Sequence, residues 1–469
     1  MESNSKQEGQ TRKHGLIDPR YLFSVVCASL LTVVATALFS YAWIDFVSVH
    51  NQTGKLMGLG NIGMAVLIYA GLFAFVAQWV GAFRIGEDRK SAIIAALVLT
   101  VATTNAVETF LSLAITSQFR FFFAFALRYS LLFLVQSVVI SLLAIPMVNA
   151  YRRKFPPLRL LHVYGEYQNG LHEKINGLTY RYRINETVHY SEENLLARID
   201  TVDAVLVDDI PSHEKNLVLK KCVDMDKRVY FVPKLGDIIV RYSKERNVVD
   251  TPLFLVKRAG MSWAEGIAKR CFDVIASALA LVLLSPVLMI VSLTIKMEDG
   301  GPVFFRQERV TIGGRRFMIL KFRSMIVNAE KDSRPHPAEE KDPRITKVGA
   351  VIRALRIDEL PQLVNIVKGD MSIVGPRPER WEHVEKYSNE IKEFNLRHKV
   401  RGGLTGYAQV YGRYNTTPLD KLKMDMMYIM NFSLLLDLQI IFETVKILFQ
   451  KESTQGFSKE RIEEIRHHN

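Results

Sequence analysis

The chain has 469 residues, of which 49% are hydrophobic, with a mean hydropathy of +0.08 and a formal net charge of +13. That length excludes a single small domain and leaves room for two or three, and so much apolar sequence excludes an ordinary water-soluble protein. The basic balance fits anionic lipid headgroups and phosphorylated substrates; with no zinc-finger spacing or other nucleic-acid motif beside it, no nucleic acid is expected as a partner.

Four long apolar runs come first, over residues 21–44, 57–80, 91–115 and 121–150. Each reaches the ~20 residues that cross ~30 Å of hydrocarbon. Arg12, Lys13 and Arg20 precede the first run, which is too long and lacks the small-residue site of a cleaved leader. The third run holds Asn105 and Glu108, which at that depth should face other helices or lie near an interface. Arg84, Arg89 and Lys90 lie between the second and third runs, and Arg152, Arg153, Lys154 and Arg159 follow the fourth, whereas the other two loops carry only Lys55 and Arg120. Positive charge on one side marks that side as cytoplasmic. Residues 1–154 are therefore expected to form a four-helix transmembrane bundle with both ends inside the cell. Cys27, Cys222 and Cys271 are too far apart for a disulfide framework or metal pattern and read as small buried residues.

Residues 155–250 read as a small α/β domain. Short apolar runs at 160–164, 204–207 and 229–232 alternate with polar, helix-compatible stretches, a pattern that makes a parallel sheet. The turn Gly165-Glu-Tyr-Gln-Asn-Gly170 lacks the three-glycine fingerprint, so no dinucleotide is expected there.

A fifth apolar run covers 271–297, with Lys269 and Arg270 before it, Lys296 at its end, and Ser285-Pro286 in its middle. A simple span would put the remaining third of the chain outside the cell. That third is strongly basic (Arg306, Arg309, Arg315, Arg316, Lys321, Arg323), which the positive-inside tendency disfavours. Pro286 removes a backbone donor. The run is therefore expected to enter the membrane, turn near Ser285-Pro286 and leave by the same face, its freed polar groups finding local partners because lipid offers none. A kinked spanning helix is the alternative.

Beyond Gly300, Ile345, Val348, Ile352 and Leu355 form a helical stripe, and residues 420–449 are helix-like and rich in Met, Leu, Ile and Phe; either could lie in the membrane surface or pack on a domain core. His336 between Pro335 and Pro337 reads as an exposed loop, and the chain after Ser453 as a polar tail.

Arg356-Ile-Asp358-Glu359-Leu-Pro361-Gln362 stands out chemically. Pro361 suits a first helical turn, which puts Asp358 near the N-terminal cap. A carboxylate there can hold Mg²⁺ with a diphosphate or attack phosphorus; alone, an Asp-Glu pair is more often a cap and a solvated charge. Two prolines flank Arg377 in Gly375-Pro376-Arg377-Pro378 and fix its backbone for a phosphate contact; Lys321-Phe-Arg323 adds a cationic pair, and Gln307-Glu-Arg309 precedes the Gly313-Gly314 turn. Together these supply the acidic pair and cations of a Mg²⁺-dependent phosphoryl transfer.

Seven motifs carry a resemblance: Lys269-Arg-Cys-Phe-Asp273, Ser285-Pro286, Phe304-Phe-Arg-Gln-Glu-Arg309, Lys321-Phe-Arg-Ser-Met325, Leu355-Arg-Ile-Asp-Glu-Leu-Pro-Gln362, Gly369-Asp-Met-Ser-Ile-Val-Gly-Pro-Arg-Pro378 and Gly403-Leu-Thr-Gly406. In number and order they resemble the bacterial sugar transferases, monotopic polyprenyl-phosphate phosphoglycosyl transferases. The N-terminal helices and degenerate Rossmann-like segment resemble that family's long form, found on initiating enzymes of capsule and exopolysaccharide synthesis. The resemblance implies a catalytic domain over 262–455, mostly helical, with a re-entrant helix broken at Ser285-Pro286, and a polar tail over 456–469. It also implies transfer of sugar-1-phosphate from a UDP-sugar to polyprenyl phosphate, undecaprenyl phosphate in bacteria, with release of UMP. Asp358 would be the nucleophile, Glu359 would help hold Mg²⁺, and Arg353 and Arg377 would contact the substrate phosphates. Pro376, Pro378, Lys321 and Arg323 complete the expected phosphate-binding set. One departure is Gly402-Gly403, where many members have Pro-Gly; a more mobile loop is expected there.

Two readings of other classes stand beside this one. A glycosyltransferase that moves the sugar without its phosphate would release UDP. A scaffold or transporter would use charges within the helices, for which Glu108 and Arg128 are the candidates. The inner membrane is the expected location, with the catalytic domain on the cytoplasmic face, and the large bundle is compatible with a homodimer.

Overall fold

A computed structural model describes residues 18–50, 59–116, 119–166, 170–256, 259–327, 342–412 and 416–448. The features expected at Arg12, Lys13, Lys55, Pro335-His336-Pro337 and the tail from Ser453 lie outside these. The chain forms two compact units, Met1–Leu158 with Ile175–Arg183, and Arg159–Lys174 with Ile184–Asn469.

The first unit holds α1 (Pro19–His50), α2 (Leu59–Val80), α3 (Lys90–Thr116) and α4 (Phe122–Lys154), which coincide with the four apolar runs. Each helix packs on the next, and α4 packs back on α1. Inside are Leu31, Ala35, Phe39, Tyr69, Phe73 and Ile140. Leu67, Phe75, Phe123 and Leu142 point outward, as hydrocarbon solvent requires and water does not. All four helices are long and apolar enough to cross a membrane. Asn105 faces its neighbours, as its depth demands: its amide donates to Gln136 Oε1 (3.0 Å), and Gln136 donates to Tyr69 Oη (2.8 Å) and the Ala35 carbonyl (2.8 Å). Glu108 is buried among the helices, and Arg128 pairs with Asp45 at 2.6 Å.

The second unit opens with a four-stranded sheet of β1 (Leu158–Tyr164), β2 (Tyr182–His189), β3 (Ala204–Asp208) and β4 (Arg228–Phe231), in the order β2-β1-β3-β4. β1, β3 and β4 run parallel, as the apolar runs predict. β2 was not expected, because Tyr-Arg-Ile-Asn-Glu-Thr-Val-His reads as polar. Between the strands lie α5 (Leu171–Asn176), α6 (Leu195–Arg198) and α7 (Ser212–Asp224), and the core is built by Leu161, Val163, Val205, Val207, Val218 and Cys222. α8 (Leu235–Arg241) belongs elsewhere. Its Ile238 packs with Val374, Val400, Leu422 and Met426 of the catalytic segment. A hairpin of β5 (Lys244–Val248) and β6 (Thr251–Leu255) follows.

α9 (Trp263–Asp299) is capped by Ser262, whose side chain accepts from the Glu265 N–H while Glu265 reaches back to the Ser262 N–H. The helix is continuous through Ser285 and Pro286, so the expected turn is a proline within a helix. Pro286 leaves the Val282 carbonyl without its backbone donor, and Ser285 Oγ donates to that carbonyl at 2.7 Å. The local partner demanded by lipid is thus the neighbouring serine. Both ends of α9 are tied to the same unit. Near its start, buried Lys269 pairs with Asp273 (2.9 Å) and Asp437 (2.7 Å), Asp273 accepts from Ser372 Oγ (2.8 Å), and Arg270 donates to the Ile366 and Val367 carbonyls. At its end Asp299 pairs with Arg323. Between these anchors Ile275, Leu279, Val282, Leu283, Met289, Ile290 and Leu293 are exposed, and so is Cys271, against the expectation of burial.

Beyond α9 the helices are joined by two short two-stranded sheets. β7 (Phe304–Val310) and β8 (Arg316–Phe322) form an antiparallel hairpin turned at Gly313 (φ 66°) and Gly314 (φ 76°). Next come α10 (Lys347–Ala354), α11 (Gln362–Lys368), β9 (Ser372–Val374), α12 (Trp381–Glu390), β10 (Gly403–Thr405), which pairs parallel with β9, and α13 (Tyr407–Tyr411). Residues 420–449 are two helices, α14 (Pro418–Met430) and α15 (Leu434–Leu448), with Leu422, Met426 and Ile440 in the core. The α10 stripe divides. Ile352 and Val348 pack on Val291, Ile295 and Phe322, whereas Leu355 and neighbouring Val351 are exposed.

Candidate active site

α10 is capped at its start by Thr346, whose side chain accepts from the Gly349 N–H at 2.9 Å, and at its end by Leu355. Arg356 then takes a left-handed φ of 57°, a conformation that costs a side chain roughly 1–3 kcal/mol. That reversal lets Ile357–Glu359 form a single 3-10 turn. Pro361 is itself the N-cap of α11, so the two carboxylates sit in the turn before the helix and not at its cap.

The two carboxylates differ. Glu359 Oε1 accepts from Lys321 Nζ at 2.8 Å and from Arg377 Nη2 at 3.1 Å. Burial pushes its carboxyl up, but Arg377 and Lys321 outweigh burial and hold it well below the usual carboxylate range. Asp358 makes no side-chain hydrogen bond among the described residues. Burial and the neighbouring Glu359 charge raise its pKa, against the pull of Lys321, Arg353 and Arg356. An adjacent pair driven in opposite directions separates into a fixed anion and a reactive group. Burial also lowers the Lys321 pKa, against the attraction of Glu359.

Arg377 is fixed through its backbone, more firmly than two flanking prolines would achieve. The Pro376 carbonyl accepts from Gly403 N (2.9 Å), the Arg377 carbonyl from Arg397 Nη2 (2.9 Å), the Pro378 carbonyl from Arg309 Nη1 (3.2 Å) and the Glu379 carbonyl from Val310 N (3.0 Å). Arg397 is buried and ion-paired with buried Asp425 at 2.9 Å. The Gly402-Gly403 loop is pinned, contrary to the expected mobility. Gly402 N donates to Thr311 Oγ1 (3.1 Å), its carbonyl accepts from Ser372 N (2.9 Å), and a Cβ at 402 would meet Pro378 Cγ at 2.6 Å.

Of the sequence-derived set, Asp358, Glu359, Lys321 and Arg377 come together, with Pro376 and Pro378 framing Arg377. Arg353 acts on Asp358 through its charge, from α10. Arg323 does not join them: it is buried in its pair with Asp299, against Gly301. β8 ends at Phe322, and Arg323 N donates to the Val303 carbonyl at 2.9 Å. Ser285 and Pro286 lie on α9 and line no part of the pocket beside the carboxylates. That pocket brings in two residues the selection missed, Arg309 and Gln362, both inside recognised motifs but with no cue to their direction. Asn365 was missed too. It ties α11 to β8, accepting from Leu320 N (2.9 Å) and donating to the Met318 carbonyl (2.9 Å).

Mg²⁺ takes one or two carboxylates and completes its shell with substrate phosphates. Asp358 and Glu359 have that composition, and no group of three or more His, Cys, Asp or Glu suited to a metal occurs among the described residues.

Carboxylates set among cations, in a protein with helices long and apolar enough to cross a membrane, define a phosphate-handling site in a membrane protein. Residues 264–451 match the family model for bacterial sugar transferase. The chain is 35% identical over 330 residues to the UDP-N-acetylgalactosamine-undecaprenyl-phosphate N-acetylgalactosaminephosphotransferase of Aeromonas hydrophila, covering 70% of this chain and 75% of that one. It is 38% identical over 236 residues to the UDP-glucose:undecaprenyl-phosphate glucose-1-phosphate transferase of Klebsiella pneumoniae, covering 49% of this chain and 50% of the relative. It is 43% identical over 194 residues to the exopolysaccharide production protein ExoY of Sinorhizobium fredii, covering 38% of this chain and 84% of the relative. The chain belongs to the bacterial sugar transferase family.

Proposed function

We propose that this protein transfers a sugar-1-phosphate from a UDP-sugar to polyprenyl phosphate, undecaprenyl phosphate in bacteria, as the initiating step of exopolysaccharide, capsule or O-antigen synthesis. The observation that carries the reading is the division of labour in the acidic pair: Glu359 is held by two cations while Asp358 has no hydrogen bond among the described residues. An Asp358 carboxylate oxygen attacks the sugar-bearing phosphorus, and the bridging P–O bond breaks. UMP leaves with the electron pair, and the phosphosugar remains on Asp358. An oxygen of polyprenyl phosphate then attacks the same phosphorus, and the carboxylate departs. Lys321, Arg353 and Arg377 offset charge on the phosphates. Mg²⁺, held by Asp358 and Glu359 together with the diphosphate, would stabilise the leaving UMP. A covalent intermediate separates the two binding events, so one shallow site serves a soluble and a lipid substrate.

The same reading places the active site at the cytoplasmic face of the inner membrane, with α9 bent at Pro286 so that both its ends lie at that face. In support, it is anchored near both ends to one unit, by Lys269–Asp437 and Asp299–Arg323, while its middle is exposed and apolar.

Purified protein supplied with radiolabelled UDP-sugars and polyprenyl phosphate tests this. UMP is the expected nucleotide product; UDP would mean a glycosyltransferase. EDTA should stop the release and Mg²⁺ restore it. Asp358→Asn should abolish turnover and trap no phosphosugar adduct, and an active variant would remove Asp358 from the chemistry.

A further inference from the structure

Beside the carboxylate pair lies a small pocket lined by Arg309, Lys321, Gln362, Arg377, Pro378 and Gly403 among others. The reaction above gives no task to Arg309 or Gln362, yet both have unused polar atoms. Gln362 is 3% exposed, and its carboxamide makes no hydrogen bond among the described residues. Native proteins rarely leave a buried amide unbonded without reason. Arg309 donates Nη1 to the Pro378 carbonyl and Nη2 to Gln307 Oε1 (2.6 Å), while its buried Nε has no partner among the described residues. Burial and the nearby Arg377 charge lower the Arg309 pKa to about 10. Of the three cations that line the pocket, Lys321 and Arg377 share Glu359 Oε1, while Arg309 bonds no carboxylate among the described residues, so an anion is its complement.

We propose that Arg309 and Gln362 form a phosphate subsite beside the acidic pair, with the Arg309 guanidinium and the Gln362 amide donating to oxygens of one phosphate group. The inference rests on the proposed reaction for its ligand. That reaction brings two phosphates here, one on the nucleotide and one on the lipid.

The test uses the full chain in lipid nanodiscs, with Gln362→Met and Arg309→Lys. UMP affinity is read by calorimetric titration, which needs no turnover. KM for a short-chain polyprenyl phosphate is read from transfer, and a melting curve reports the fold. Each variant is expected to weaken one of the two by roughly tenfold or more, as for a lost hydrogen bond to a charged group, with its melting temperature unchanged. Weaker UMP binding assigns the subsite to the nucleotide; a raised lipid KM with unchanged UMP binding assigns it to the acceptor. Wild-type values in both overturn the proposal. If Gln362→Met melts early, the near-isosteric Gln362→Glu decides, since its charge must repel phosphate. Should the wild type bind UMP but transfer nothing, the reaction falls, while the UMP titration of the variants still decides the subsite.

Discussion

At Asp358 the deciding quantity is how easily the carboxylate loses its proton. The nucleophile must be ionised, and burial beside Glu359 raises its pKa above the ordinary 3.8. Activity should therefore rise with pH along an acid limb above the ordinary carboxylate value. Arg353 pulls that pKa down, so Arg353→Gln should move the limb of kcat/KM to higher pH; an unmoved limb would mean another group titrates. Gly402 matters for space. A methyl there would sit 2.6 Å from Pro378 Cγ, and the loop carrying Arg377 would have to shift. Gly402→Ala should lower kcat/KM about tenfold or more, since small misplacements in a site are costly; steady-state kinetics on the folded variant checks this.

The elements that hold Arg377 are the β7–β8 hairpin, β10 and α14, the last through Arg397 and Asp425. Asp425 is buried, and burial pushes its carboxyl up to about 6 despite the pull of Arg397. A raised folded-state pKa means that stability from this group is fully present below about 3.8 and is given up as pH rises toward 6. Removing the carboxylate outright strands a buried guanidinium. Asp425→Leu should cost about 3–5 kcal/mol of stability and loosen the Arg377 carbonyl, lowering activity as well. Chemical denaturation with parallel kinetics measures both; an unaffected midpoint would deny the pair its structural role.

For the whole molecule, the topology of α9 decides whether the site meets a lipid phosphate from inside the cell. Trp263 and Met297, near the two ends of the helix, are both exposed. With Cys271 replaced by serine, Trp263→Cys and Met297→Cys should be labelled by an impermeant thiol reagent from the same side of the membrane. Opposite sides would make α9 a simple span and end the same-face reading.

Local interactions were readable from the chain alone. Hydropathy over ~20 residues marks a membrane helix wherever it packs, and short apolar runs mark strands, so the four N-terminal helices and three of the four sheet strands stand where expected. The acidic pair was equally plain, being two adjacent residues in a recognisable motif. Only the tertiary structure decided which cations reach that pair. Lys321 and Arg323 are two residues apart, yet one bonds Glu359 and the other Asp299. Arg309, 50 residues before Glu359 along the chain, lines the pocket beside it. Charge pairing acts through space, and the end of β8, the left-handed turn at Arg356 and the Asn365 bridge set those distances. The helix through Pro286 shows the same limit: a missing N–H could be counted in the sequence, but whether Ser285 would replace it depended on its side-chain direction.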